Sequence, residues 1–186
     1  MRRSPLLFTA PLVLLAVLVL ILLWEAVRAN VSPGVRDGWP WRGSWRKGLL
    51  AEGKPAWRVG ILNGGQHIAV IESWECRAVL RGGSDVSTAP WVAVPEVVAT
   101  LTADGLSVGR DYQLIAFGKG FPLVGTGNYE TVPVGVFSQR FVERVDALQV
   151  RVRVTDVVGD SHERVLDCMR GSRAEHNVPG AEPVNE

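Results

Sequence analysis

The chain has 186 residues, 47% of them hydrophobic and 21% charged, with a formal net charge of +1. That composition is too apolar for a disordered chain and too nearly neutral for a nucleic-acid binder held by positive charge. Two cysteines exclude a disulfide-dense scaffold and a four-cysteine zinc site.

Arg2 and Arg3 open the chain, and Leu6 to Trp24 then runs without a charge. At 1.5 Å per residue a helix of that length nearly crosses a hydrocarbon core of roughly 30 Å. Residues 1–5 read as a short cytoplasmic region and 6–24 as a transmembrane helix. Pro11 falls in the first turns, where proline is best tolerated, and Trp24 stands where an interfacial anchor belongs. A cleaved signal peptide is the rival, with Val27-Arg28-Ala29 as a small-residue cleavage site. The apolar run is longer than a signal core, which favours an uncleaved anchor. Arg2 and Arg3 favour a cytoplasmic N-terminus and an extracytoplasmic domain. The basic residues beyond the helix argue for the opposite topology.

Residues 25–56 form a collar rich in tryptophan and basic residues. Trp24, Trp39, Trp41, Arg42, Trp45, Arg46 and Lys47 are the membrane-interface candidates, because an indole body and a phosphate-seeking cation both suit the headgroup layer. The alternative is a linker whose tryptophans pack on the domain. Ser44 to Ala51 has the length of two helical turns.

From Trp57 the period shifts towards two. Trp57–Leu62 reads as a strand, and Asn63-Gly64-Gly65 as a turn. In Gln66–Leu80 the residues Ile68, Val70, Trp74, Cys76, Ala78 and Leu80 share one phase. Glu72 breaks that phase and Ile71 falls on the other face, so a bulge or bend is expected. Residues 94–105 fit either a helix, opened by Pro95 and closed by Gly105, or a strand. Asp111–Phe117 reads as a strand, Gly118–Tyr129 as a glycine-rich loop and Thr131–Phe137 as another strand. Ser138 caps a helix over Gln139–Ala147. Val150, Val152 and Val154 alternate with Arg151, Arg153 and Thr155 as in a half-buried strand. Asp156 to Asp160 turns the chain at Gly159, and His162–Met169 returns as the hairpin partner. Residues 170–186 are polar and read as a disordered tail.

The fold class is mainly β: a transmembrane helix, then an antiparallel sandwich over 57–169 with one or two short helices. The Asn-x-Gly after the first strand and the closing strand–Asp-x-x-Gly–strand hairpin resemble Ig-like domains of bacterial membrane-anchored proteins. The resemblance implies a shape and no activity.

Cys76 and Cys168 are a disulfide candidate. A bond between them closes most of the domain, and loop entropy credits it with about 4–5 kcal/mol; two buried thiols are the alternative. Asp156, Asp160, His162 and Glu163 cluster at the last hairpin as a solvated turn without an ion-binding spacing. Ser161 and His162 are neighbours on a strand and point apart, so they do not make a nucleophile–base pair. Gly118-Lys119-Gly120 lacks the Ser or Thr of a phosphate loop. No catalytic residue, metal site or cofactor is expected. The expected function is a membrane-anchored, non-catalytic binding or scaffolding protein. Its partners are the lipid bilayer and another membrane or envelope protein, with no nucleic acid. An anchored or secreted enzyme and a cytoplasmic-facing accessory subunit are the alternatives.

Overall fold

The computed structural model describes residues 14–23, 42–65, 67–125 and 131–173. Helix α1 covers 14–23, and all ten of its side chains are exposed. Among the described residues no helix is long and apolar enough to cross a membrane. The rest of the expected span, 6–13 and Trp24, lies outside the described residues, as do Trp39, Trp41 and most of the tail.

The remainder is a mainly β structure of two four-stranded antiparallel sheets with few helices. In chain order come β1 (Arg42–Arg46), β2 (Ala56–Ile61), β3 (Ala69–Leu80), α2 (Val94–Ala103), β4 (Tyr112–Leu114), β5 (Pro122–Leu123), β6 (Val132–Ser138), α3 (Gln139–Arg144), β7 (Val145–Thr155) and β8 (Ser161–Asp167). The first sheet has the order β1-β2-β6-β4 and the second β5-β3-β7-β8. One core lies between them. β2 contributes Trp57, Val59 and Ile61; β3 contributes Ile71, Trp74 and Cys76; β7 contributes Leu148, Val150, Val152 and Val154. Trp57, Ile61, Ile71, Phe137 and Phe141 are among the largest side chains that are wholly buried. Each such burial supplies on the order of 1.5–3 kcal/mol of transfer free energy.

Several expectations need correction. Residues 42–46 form strand β1, paired along β2 with Trp45 opposite Trp57, so the domain begins inside the expected collar and Ser44–Ala51 is not a helix. Its pairing partner lies beyond an intervening loop, which local periodicity does not register. At the other end, Ser172 is buried and Arg173 donates to the carbonyls of Val142 and Val145. The domain therefore continues through residue 173 rather than ending at 169. α3 stops at Arg144 because Val145 already pairs with Leu80.

Residues 94–103 resolve as a helix. Pro95 sits in its first turn, and Gly105 follows with φ 82°, a conformation glycine adopts without cost. Val94, Val97 and Leu101 face the core.

The expected bulge in β3 is present between Ile71 and Ser73. Its consequence was not legible in the phase of the sequence. The extra residue, Glu72, reverses the faces, so that Ile71 joins Trp74 and Cys76 in the core. Ile68 and Val70 are left on the outer face, 47% and 39% exposed. A one-residue offset exchanges the two faces because the side-chain period of a strand is two.

Candidate functional site

A polar cavity of about 460 Å³ is open to solvent. Leu50, Glu52, Lys54 and Pro55 of the β1–β2 connection form one wall. Arg110 and Asp111, just before β4, form the floor. Ser138, Gln139, Arg140 and Glu143 at the start of α3 form the opposite wall.

Asp111 organises it. The residue is 3% exposed. Its Oδ2 accepts from the Ser107 amide at 2.8 Å and from Arg110 Nη2 at 3.1 Å, and Arg140 Nη1 donates to the same oxygen at 3.3 Å. Its backbone carbonyl accepts from the Ser138 amide, which ties β4 to the start of α3. Burial alone pushes the carboxyl up; the Ser107 amide and the Arg110 and Arg140 guanidiniums outweigh it and hold the group below the ordinary aspartate value. An ionised carboxylate with this many donors orients its arginines rather than taking a proton.

Arg140 also donates to the Gly105 carbonyl, and Arg144 pairs with Asp104 at 2.8 Å. The C-terminal end of α2 is thereby tied to α3, which sets where Arg140 stands. Lys54 and Glu52 pair at 2.7 Å on the rim. The cavity thus offers guanidinium donors to an anionic group and the carboxylates of Glu52 and Glu143 to a cationic one. Sequence reading missed Asp111, placing it only as the first residue of a strand; the donors come from residues 107, 110 and 140, which meet only in the fold.

The interface candidates separate. Trp45 packs beside the core, its ring centroid 5.9 Å from that of Trp57. It also lines a smaller cavity of about 240 Å³ with Val142, Ser172 and Arg173. Arg46 and Lys47 are exposed. The backbone of Arg42 is in β1, and Trp24, Trp39 and Trp41 lie outside the described residues.

Cys76 and Cys168 are buried free thiols. Cys76 on β3 lies opposite Val150 of β7, and Cys168, just past β8, bonds through its amide to Leu148 of β7. Strand β7 therefore runs between them. Two strand spacings separate their Cα atoms by about 10 Å, whereas a disulfide needs no more than about 7 Å. Burial, then Glu75, pushes the Cys76 thiol up to about 12. Burial, then Cys76 and Asp167, pushes Cys168 well above its usual value.

At the last hairpin, Asp156 Oδ1 accepts from the Val158 and Asp160 amides, and Oδ2 meets His162 Nε2 at 3.0 Å. The carboxylate closes the turn. Ser161 donates instead to Glu72, away from His162. Among the described residues no three His, Cys, Asp or Glu side chains gather as an ion site. In the glycine-rich segment, Gly118 to Phe121 is a tight turn closed by Phe121 N to Gly118 O at 3.2 Å.

The fold and these contacts define a mainly β protein of two antiparallel sheets with a polar cavity at one edge. Comparison with family models, curated proteins and solved structures found no match.

Proposed function

We propose that this chain is a membrane-anchored binding or scaffolding protein that displays its β domain at the bilayer surface, outside the cytoplasm. The observation that carries the reading is α1. Ten consecutive apolar side chains, Leu14 to Leu23, are helical and exposed. An apolar helix exposed all round needs a non-aqueous neighbour, and the uncharged run from Leu6 to Trp24 has the length a bilayer asks of it. The two sheets would form an Ig-like sandwich. The cavity beside Asp111 would take a polar ligand or the side chains of an envelope partner, because its groups are complementary to both signs of charge.

The test is fractionation of cells expressing the full chain. The reading expects the protein in the membrane pellet after alkaline carbonate washing, and release to the supernatant when residues 6–24 are deleted. A full chain found in the soluble fraction overturns it. A cysteine introduced at exposed Ala99, labelled in intact cells by an impermeant maleimide, reports an outward-facing domain. Labelling only after lysis favours the cytoplasmic-facing alternative.

A further inference from the structure

The outer face of the second sheet has two unlike ends. At one end the side chains are charged and paired. Arg151 meets Glu75 at 2.7 Å, Arg153 meets Glu163 at 3.0 Å, and the Arg77 and Arg151 guanidiniums stand over the Trp91 ring. At the other end, where β3 meets β5, the apolar residues Ile68 and Val70 face outward, bordered by Thr155, which donates to the Glu72 carboxylate. Val70 lies opposite Pro122, and the same register puts Ile68 opposite Val124. Ile68 is 47% exposed and Val124 52%. This apolar end exists because the β3 bulge turns Ile68 and Val70 out of the core.

We infer that this apolar end docks on the lipid bilayer to which the chain is tethered; the inference rests on the anchoring proposed above. Three observations favour lipid over another protein strand. First, the free edge here is β5, only two residues long and carrying Pro122. Proline has no N–H to donate, so strand addition is blunted. Second, the backbone of the tip is bonded inward: Ile71 N to Phe121 O at 2.9 Å, Gly120 N to Ile71 O at 2.8 Å, and Phe121 N to Gly118 O. A surface entering an apolar layer needs its backbone groups satisfied internally. Third, residues 24–41 join α1 to β1 and span at most about 60 Å when extended. A tether that short keeps the domain at high local concentration beside the bilayer, so a small patch suffices to hold it there.

The experiment uses the full chain reconstituted in phosphatidylcholine vesicles. Val124→Cys and, as a control on α2, Ala99→Cys are each labelled with an environment-sensitive fluorophore; both positions are exposed, and the native thiols are buried. Docking predicts a blue-shifted label at 124, several-fold slower attack by an aqueous quencher than at 99, and quenching by nitroxide on the lipid chains. Equal aqueous access at both positions in chains that float with the vesicles overturns the docking and leaves the anchor standing. A label at 124 that is shielded from water yet untouched by lipid-borne nitroxide means that protein covers the patch, which also overturns it. Chains that fail to float overturn the anchoring and this inference together.

Discussion

The indole Nε1 of Trp57 donates a 3.0 Å hydrogen bond to the backbone carbonyl of Cys168, within the core and across 111 positions of sequence. Trp57 belongs to the first sheet, and Cys168 follows the last strand of the second. The bond joins the two layers at the point where the chain leaves β8, and Trp45 covers the same indole from β1. Replacing Trp57 by Phe keeps an aromatic ring but leaves a buried carbonyl without its donor. The expected cost is about 1–3 kcal/mol, read as a lower urea midpoint with the slope unchanged.

Both native thiols should be inert in the folded protein. At pH 8 a maleimide or an aromatic disulfide reagent is expected to react with neither until denaturant is added, and then with both. Reductant should leave the melting temperature unchanged. The raised thiol values also give a pH dependence. In the unfolded chain these groups ionise near 9.0, whereas in the folded chain they stay neutral to higher pH. The stability tied to the neutral thiols is therefore complete below pH 9 and is lost as the pH climbs towards 12. Cys76→Ala should flatten that alkaline decline.

Asp111 gives the opposite sign. Its folded value is depressed, so its contribution is present above the unfolded value of 3.8 and is lost as the pH falls through the lower, folded value. Asp111→Asn keeps the shape and removes the charge that holds Arg110 and Arg140. It should cost roughly 1.5–3 kcal/mol, in the range of a hydrogen bond to a charged group. It should also weaken the acid-side slope in denaturation curves collected between pH 2 and pH 5.

Gly135 on β6 is a packing constraint. A Cβ there would stand 2.5 Å from Phe137 Cζ and 3.0 Å from the Gln113 carbonyl oxygen. Phe137 is wholly buried and stacks on Phe141 at 4.8 Å, so it has no room to yield. Gly135→Ala is expected to cost about 1–3 kcal/mol as an overpacking change, seen as a drop in the thermal midpoint by calorimetry.

Strands with strict alternation were legible where they lie. Val150, Val152 and Val154 alternate with polar residues, and all three are buried on β7. Turn chemistry was equally plain: Asn63, before two glycines, donates to the His67 and Leu123 carbonyls, and Gly159 has φ 87° at the last hairpin. Strands β1 and β5 were missed. Each is short and lies at a sheet edge, and each is defined by hydrogen bonds to a partner rather than by its own pattern. The cavity was missed for a related reason: its charges come from three separate segments, and none carries a motif.

The sequence by itself determined that this is a mainly β chain with an apolar run near its start, because hydrophobic period, turn residues and uncharged length are local properties. Only the tertiary structure decided which strands are neighbours, that β7 separates the two thiols, and that Asp111 gathers two arginines. Only the fold, too, turned Ile68 and Val70 outward, since one extra residue in a ladder shows its effect on facing only against a paired strand. Register and long-range contact follow from packing the whole chain around one core.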